Sequence, residues 1–255
     1  MKQEIIQFSE QLDNAAVDAV AVEQLSNTHT ISLSDAYKIQ EASIARRVER
    51  GEKLSGIKLG FTSKAKMEQM GVHDLIWGRL TNRMQIQNHS KLHLTKFIHP
   101  RAEPEVAFLL KKDITTAITK ANVGEFVSGV TAAIEIIDSR YKNFKFSLED
   151  VIADNCSSTA YVLGAWQDFN TDSSNLEITM KVNDVVVQKG NSNQILGNPL
   201  NSLLEAFRLA NQYNLPLKKD MVILAGAATP AVFIKENETV VVTIENLGEV
   251  VLHVE

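Results

Sequence analysis

The sequence is poor in several features that mark whole classes of protein. Its single cysteine, Cys156, excludes an internal disulfide and a zinc site built from several cysteines. Proline and glycine number only 5 and 12 in 255 residues, and neither is concentrated in a linker. The phosphate-binding patterns GxGxxG and GxxxxGKS/T do not occur, so nothing in the sequence favours a nucleotide cofactor.

Charge and hydropathy exclude two further classes. The 26 Lys and Arg residues are outnumbered by 31 Asp and Glu residues, which gives a formal net charge of −5, whereas a dedicated nucleic-acid binder usually carries a basic surface. No run of 18 consecutive apolar residues occurs, so no membrane-spanning helix is predicted. The first residues lack the apolar stretch of a signal peptide, and we therefore expect a cytoplasmic protein.

The period of the hydrophobic pattern changes along the chain. Helical spacing dominates at first, and it predicts a helix from Asp35 to about Arg50 with Ser34 as its N-cap. A short helix is predicted over Ser63–Met70. Patterns typical of strands follow, so the early part of the chain is expected to be mainly helical and the later part mainly β-structure.

The later part contains elements that can be located individually. Residues 176–187 predict a strand hairpin, Asn198–Pro199 predicts the start of a helix, and residues 246–248 predict the turn of a C-terminal hairpin. Strands and helices do not alternate regularly, which disfavours a doubly wound sheet or a TIM barrel. We predict an α+β fold with a helical portion over residues 1–75 and a β-rich catalytic body over 76–255, together one compact unit.

Two carboxylates stand two residues apart in the segment HPRAEPEVAF. On a strand, Glu103 and Glu105 would share one face. Like charges side by side repel each other, and a hard divalent cation relieves that repulsion. By itself the pattern is more typical of a solvated strand face.

Glu135 changes this interpretation. It lies in TAAIEIID among isoleucines, in a run typical of a strand that is buried on both faces. A buried carboxylate needs a cation, a hydrogen-bond network or a raised pKa. Three glutamates on two strands therefore predict an oxygen-rich metal site. Because no ligand is sulfur and no histidine is well placed, Mg²⁺ or Mn²⁺ is favoured over Zn²⁺.

Three cations and a thiol stand near these segments. Lys58 lies in the apolar strand SGIKLGF, where its charge needs an anionic partner, either a structural ion pair or a substrate carboxylate. Arg101 and Arg140 flank the glutamate strands, and supporting roles are favoured over catalysis for both. Cys156 is interpreted as a small buried residue, since no histidine is placed to activate it. Its segment ADNCSST fits either a plain turn or a loop that faces a substrate.

Several segments together resemble one family, the hydratase/decarboxylase group of the fumarylacetoacetate hydrolase superfamily. The resemblance covers about residues 50–230 and is carried by six segments in the family's order: KLSGIKLGFTSKAKMEQMGV, HPRAEPEVAFLL, AAIEIIDSRYKNFKF, DVIADNCSSTAYVLG, GNPLNSL and KKDMVILAGAAT. AKMEQMGV, HPRAEPE and DSRYKNF are closer to the decarboxylase branch. The resemblance implies a mixed, twisted β-roll with a helical N-terminal portion.

The resemblance also implies roles for individual residues. Glu103, Glu105 and Glu135 would hold one Mg²⁺ or Mn²⁺, and Lys58 would be catalytic. Three residues would bind substrate: Ser157, Ser158 and Thr229. Cys156 departs from the family, in which a small residue such as alanine is usual, and this supports a structural thiol.

The implied activity is metal-dependent decarboxylation of 2-oxohex-3-enedioate to 2-hydroxypenta-2,4-dienoate and CO₂, in the catabolism of aromatic compounds by meta-cleavage. Hydration of 2-hydroxypenta-2,4-dienoate is the alternative, because the same metal site would polarise that diene. A third hypothesis, a non-catalytic subunit that binds 2-oxo acids, is disfavoured because the chain retains the three glutamates and Lys58. We expect a small 2-oxo dicarboxylic acid as substrate and a homo-oligomeric protein, and a complex with a related hydratase stays open.

Overall fold

The computed structural model describes residues 2–62, 67 and 74–255. The helix predicted over Ser63–Met70 lies outside the described residues, apart from Met67. Four α-helices occur in the described part of the chain: α1 (Lys2–Asp18), α2 (Leu33–Glu49), α3 (Leu148–Ala153) and α4 (Pro199–Gln212). Among these helices, none is long and apolar enough to cross a membrane.

Fourteen strands occur in the same described residues. They are β1 (Leu54–Gly60), β2 (Ile76–Thr81), β3 (Gln85–Ile86), β4 (Lys91–Leu92), β5 (Arg101–Leu110), β6 (Val127–Ile137), β7 (Ser158–Leu163), β8 (Gln167–Asp168), β9 (Glu177–Val182), β10 (Val185–Asn191), β11 (Val222–Ala227), β12 (Val232–Phe233), β13 (Thr239–Ile244) and β14 (Gly248–Val254). Two long helices come first and strands dominate the rest of the chain, and the α+β fold class is confirmed. β1 lies within the portion predicted to be helical, and α3 and α4 lie between strands.

The strands form two sheets. The larger has the order β2-β1-β11-β5-β6-β7-β3, with β12 paired to β5 and β8 paired to β6. Its β1–β11 and β3–β7 pairs are parallel and its other pairs are antiparallel, so the sheet is mixed. The smaller sheet has the order β10-β9-β13-β14-β4. Both predicted hairpins are confirmed, as β9–β10 and β13–β14.

The first residues of α4 and α2 show whether the predicted N-caps are right. Asn198 caps α4 as predicted, since its side chain accepts a hydrogen bond from the Leu200 amide at 2.8 Å. The prediction of Ser34 as the N-cap of α2 is wrong. Ser32 is the cap, and its hydroxyl accepts a hydrogen bond from the Asp35 amide at 3.1 Å. The reason is geometric, because an N-cap side chain reaches the amide two or three residues ahead and Ser34 is already inside the helix.

The centre of the larger sheet positions the candidate site. β1 lies beside β11, β11 beside β5 and β5 beside β6, so four consecutive strands of the sheet are drawn from distant parts of the chain. β5 is almost wholly buried along its length, and β6 is buried over Gly129–Ile136. Polar side chains on these strands are therefore withdrawn from water, and each needs a partner within the protein or a ligand.

Candidate active site

The register of β5 against β6 brings the three predicted glutamates together. Glu103 lies directly opposite Glu135, and Glu105 is two residues further along β5 on the same face. All three side chains are buried. One carboxylate oxygen from each lies within 4.8 Å of the others, a spacing at which one cation could contact all three.

Glu105 is held by the backbone of β11. The Gly226 amide donates a hydrogen bond to Glu105 Oε2 at 2.8 Å. Gly226 has a φ of +110°, and a Cβ at this position would lie 2.2 Å from Thr62 Oγ1, so no other residue fits without displacement. Burial and the neighbouring charge of Glu135 raise the pKa of Glu105 well above its ordinary value.

Among the described residues, Lys58 brings a positive charge to this cluster. Its Nζ lies 2.9 Å from Glu135 Oε2, an ion pair whose angles fall outside hydrogen-bond geometry, and it donates a hydrogen bond to the Cys156 carbonyl at 3.5 Å. Burial would lower the pKa of Lys58, but the charges of Glu135, Glu105 and Glu103 outweigh burial and raise it above its ordinary value. Lys58 is therefore a fixed positive charge at neutral pH.

The donor atoms fit a hard divalent cation. Within the described residues, Glu105 Oε1 and Glu135 Oε1 are buried and have no hydrogen-bond partner. Buried carboxylate oxygens without a partner are costly. A divalent cation with oxygen ligands, Mg²⁺ or Mn²⁺, would satisfy these two oxygens and relieve the repulsion between the neighbouring carboxylates.

A cavity of about 490 Å³ opens beside the cluster. Lys58 and Glu103 line it, and most of its remaining wall is apolar, including Phe61, Ile76 and Phe146. A pocket with a few convergent charged groups in an apolar wall is typical of a site for a small charged molecule.

The structure treats the three predicted substrate-binding residues differently. Ser157 lines the cavity, and its buried Oγ has no hydrogen-bond partner in the described part of the chain. Ser158 is buried as well, but it lines a separate, much smaller space beside Arg140. Thr229 is buried and donates a hydrogen bond to the Pro230 carbonyl at 3.3 Å, while its neighbour Pro230 lines the cavity instead. Only Ser157 is thus brought to the cavity, and the roles of Ser158 and Thr229 stay predictions.

Comparison with known proteins places this site in a family. Residues 79–255 match the model of the fumarylacetoacetate (FAA) hydrolase C-terminal family. The chain belongs to the fumarylacetoacetate hydrolase family. The resemblance in the sequence is therefore confirmed, and the glutamate strands β5 and β6 lie within the matched residues.

Curated relatives extend this family match to nearly the whole chain. The chain is 46% identical over 244 residues to a 4-oxalocrotonate decarboxylase from Pseudomonas sp., an alignment that covers 96% of this chain and 95% of the relative. It is 32% identical over 243 residues to 2-keto-4-pentenoate hydratase 2 of Dechloromonas aromatica (strain RCB), covering 94% of this chain and 93% of the hydratase. Both branches that the sequence analysis weighed are thus among its relatives.

A solved structure in the same family agrees with the fold. The 4-oxalocrotonate decarboxylase of Pseudomonas putida G7, complexed with magnesium and adipate, superposes with a TM-score of 0.95 at 29% sequence identity. The match covers 100% of this chain and 98% of that structure. The predicted helical portion followed by a mixed β-roll is therefore confirmed as the fold of this family member.

The contacts of Arg140 and Cys156 indicate structural rather than catalytic roles for both side chains. Arg140 is buried and forms an ion pair with Asp154, and it donates a hydrogen bond to Thr159 Oγ1 at 2.7 Å. Cys156 Sγ donates to the Trp77 carbonyl at 3.1 Å, and burial raises the pKa of the thiol to about 12. A neutral thiol of this kind is a poor nucleophile, which agrees with the structural interpretation.

Two contributors to the site were missed in the sequence. The Gly226 amide could not be assigned, because nothing in LAGAATPAV shows that its backbone faces a carboxylate on another strand. Arg101 was assigned only a supporting role, although it stands two residues before Glu103 and so shares its strand face. That spacing was the available signal, and the structure places Arg101 in the wall of the cavity.

Proposed function

We propose that this protein catalyses the metal-dependent decarboxylation of 2-oxohex-3-enedioate, also called 4-oxalocrotonate, to 2-hydroxypenta-2,4-dienoate and CO₂. The observation that carries the proposal is the buried cluster of Glu103, Glu105 and Glu135, ion-paired to Lys58 at the wall of a cavity. The 46% identity to a 4-oxalocrotonate decarboxylase over nearly the whole chain supports the choice of substrate.

The reaction breaks one C–C bond, and the carboxylate remote from the 2-oxo group leaves as CO₂. The electron pair moves through the conjugated double bond onto the 2-oxo oxygen, which takes up a proton to give the hydroxydienoate. A divalent cation on the three glutamates supplies a Lewis acid for the negative charge of a 2-oxo acid. Lys58 adds a fixed positive charge beside that position, and it is already oriented by Glu135 before substrate arrives.

Ser157 and the apolar wall complete the proposed site. The Ser157 hydroxyl is buried at the cavity and is available to donate a hydrogen bond to a carboxylate or enolate oxygen of the substrate. Side chains such as Ile76 and Phe146 limit the number of water molecules around the reacting carbons. Electrostatic stabilisation is stronger in a site from which water is excluded.

Product analysis tests the proposal directly. Purified protein with Mg²⁺ should convert 2-oxohex-3-enedioate to 2-hydroxypenta-2,4-dienoate with one CO₂ released per molecule consumed. Gas analysis and chromatography of the product measure both quantities on one sample. Consumption of no substrate, or consumption without CO₂, would refute decarboxylation.

Hydration of 2-hydroxypenta-2,4-dienoate is the second candidate. The relative named 2-keto-4-pentenoate hydratase 2 favours it, because 32% identity over 94% of this chain leaves room for either reaction on one metal site. A hydratase should consume the diene by addition of water, with no release of CO₂. Incubation of the same preparation with the diene alone distinguishes the two activities.

Assembly is a further part of the proposal. We propose that the chain forms a homo-oligomer and associates with a related hydratase, which would consume the product of decarboxylation. Three exposed valines on the outer strand β10, Val185, Val186 and Val187, offer an apolar surface for such contacts. Light scattering of the protein alone and mixed with a purified hydratase measures both associations, and a monomer in each sample would contradict them.

A further inference from the structure

Arg101 lies at a defined position in the cavity wall. It is the first residue of β5, two residues before Glu103 and on the same strand face. Its backbone is fixed on both sides, since it pairs with Ile137 of β6 and with Phe233 of β12. The backbone of Arg101 is therefore fixed two residues from Glu103, a proposed metal ligand.

Two aromatic rings contact the guanidinium of Arg101. Arg101 Cζ lies 4.0 Å from the centre of the Phe144 ring and 4.1 Å from the centre of the Phe233 ring. Phe144 has a φ of +55°, which a bulky residue rarely adopts, and Phe233 keeps 52% of its surface exposed. The Phe144 ring also contacts His99 and Phe146, so it is held within an aromatic cluster. Contact with two rings restricts the directions in which the guanidinium can donate hydrogen bonds.

The pairing of Arg101 differs from that of neighbouring cations in the part of the chain that the structure describes. Arg101 forms no ion pair there, and its Nε is buried without a hydrogen-bond partner. Two fully buried cations near the site are paired, Lys58 with Glu135 and Arg140 with Asp154, whereas Arg101 is partly buried. Arg101 therefore lines the cavity and has an Nε–H group without a hydrogen-bond partner among the described residues.

The position of Arg101 matches the length of a diacid. Residues two apart on a strand have Cα atoms roughly 7 Å apart. The terminal carbons of an extended six-carbon diacid lie roughly 6 Å apart, from ordinary bond lengths. A diacid that binds the metal centre beside Glu103 by its 2-oxo acid end would therefore bring its other carboxylate to the region of Arg101.

We propose that Arg101 binds the substrate carboxylate remote from the 2-oxo group and makes the site selective for 2-oxo diacids over 2-oxo monoacids. The planar guanidinium matches a carboxylate with two parallel hydrogen bonds, and the two phenylalanines preset its orientation. This inference rests on the proposed function for the identity of the diacid, but the preference for a second carboxylate is a property of the cavity.

Binding of two stable analogues tests the inference without turnover. 2-Oxohexanedioate and 2-oxohexanoate have the same chain length, and only the first carries a second carboxylate. Calorimetry on Mg²⁺-loaded wild-type protein should show tighter binding of the diacid. Arg101→Gln should weaken diacid binding by roughly 10- to 100-fold, the scale of hydrogen bonds to a charged group, and leave monoacid binding unchanged. Arg83→Gln, which removes an exposed arginine, should change neither affinity.

Two binding results for Arg101→Gln would contradict a role of Arg101 in diacid selectivity. Equal weakening of both ligands in Arg101→Gln, or an unchanged preference for the diacid, would overturn it. If Arg101→Gln fails to fold, Phe233→Leu keeps the arginine and removes one ring, and it should reduce the diacid preference partially. An unchanged preference in Phe233→Leu would then count against the inference.

The same measurements separate this inference from the proposed function. Wild-type protein that prefers the diacid through Arg101 but releases no CO₂ from 2-oxohex-3-enedioate would refute decarboxylation and leave the diacid subsite in place. Release of CO₂ by wild-type protein, with the same diacid preference in Arg101→Gln, would support decarboxylation and refute the subsite.

Discussion

At the scale of single residues, three chemically identical glutamates differ because their neighbours differ. Glu135 is tied to Lys58 by an ion pair, whereas Glu105 is held by the neutral Gly226 amide and faces the charge of Glu135. Replacing Glu135 would therefore leave Lys58 without its partner in a buried site. The effect of losing a metal ligand could then not be separated from the effect of losing an ion pair. Glu105 is the cleaner position at which to test the metal centre.

We expect Glu105→Gln to lose Mg²⁺ affinity by roughly a hundredfold or more, since even residues that only support metal ligands cost up to about that factor. The glutamine keeps an oxygen for the Gly226 amide, and it removes a carboxyl whose ionisation is disfavoured by burial and by the charge of Glu135. The metal-free variant should therefore melt at the same temperature as the metal-free wild type or higher. Titration calorimetry and thermal melting measure the two effects.

Glu125→Gln, at an exposed glutamate, is the matched control and should change neither quantity. Mg²⁺ affinity in Glu105→Gln equal to that of the wild type would remove Glu105 from the metal centre.

For Lys58, we expect Lys58→Met to reduce turnover by roughly a hundredfold or more, the scale of losing one preorganised electrostatic donor. Mg²⁺ affinity should be retained or increased, because a cation that repels the metal is removed from beside Glu135. Loss mainly in KM would place Lys58 on a substrate carboxylate, and loss mainly in kcat would place it on charge that develops in the transition state.

Lys112→Met removes an exposed lysine just beyond the far end of β5 and serves as the control. Normal CO₂ release per folded molecule of Lys58→Met would show that Lys58 is only a structural partner of Glu135.

At the scale of elements, α1 is joined to α2 by a charge cluster around Asp13. The buried Asp13 carboxylate accepts hydrogen bonds from Arg50 Nη1 and Nη2 at 2.6 Å each and from Arg46 Nε at 2.9 Å. Burial would raise the pKa of Asp13, but hydrogen bonds from Arg50 and Arg46 outweigh burial and lower it below its ordinary value. The ionised carboxylate therefore stabilises the folded state.

We expect Asp13→Asn to lower the free energy of unfolding by about 1 to 3 kcal/mol at pH 7, the scale of hydrogen bonds to a charged group. Because the pKa of Asp13 is lower in the folded state, this stabilisation is present above the unfolded pKa of about 4 and is lost as pH falls through the folded pKa. Urea unfolding at pH 7 and pH 3 should show a smaller difference between variant and wild type at the lower pH.

Asp18→Asn, at the exposed end of α1, provides the control for a general effect of charge. A difference between Asp13→Asn and the wild type that grows as the pH falls would contradict the assigned role of the cluster.

At the scale of the whole molecule, the metal centre joins strands that are far apart in sequence. The three glutamates come from two central strands, and Lys58 and Gly226 come from two more. Removal of the metal would leave buried carboxylate oxygens of Glu105 and Glu135 without a partner inside the larger sheet, so we expect it to destabilise the fold as well as to stop the reaction.

Metal removal should therefore abolish turnover and lower the melting temperature together. Saturating Mg²⁺ at about 100 times its dissociation constant stabilises a protein by about 2.7 kcal/mol if the unfolded chain does not bind it. We expect EDTA to remove both activity and that stabilisation, and added Mg²⁺ or Mn²⁺ to restore both. Full activity in excess EDTA would exclude a catalytic metal, and an unchanged melting temperature would exclude a buried one.

Local features of the fold were predictable because their causes are local. The Asn198 cap of α4 and the two hairpins depend on residues within a few positions of one another, and each is present as predicted. The cap of α2 was missed because the segment around Ser32 and Ser34 offers two serines, and only the helix geometry selects between them. The burial of Glu135 was likewise predictable from its isoleucine neighbours.

By itself, the sequence determined the class of the fold, the helical start and β-rich remainder, the family resemblance, and the carboxylates and lysine that make up the candidate site. Only the tertiary structure decided how those groups meet. It paired Lys58 with Glu135, bonded the Gly226 amide to Glu105, and brought Arg101 into contact with two phenylalanines at the cavity. The physical reason is that strand register and sheet order bring together residues more than a hundred positions apart in the chain, and no local pattern in the sequence encodes those distances.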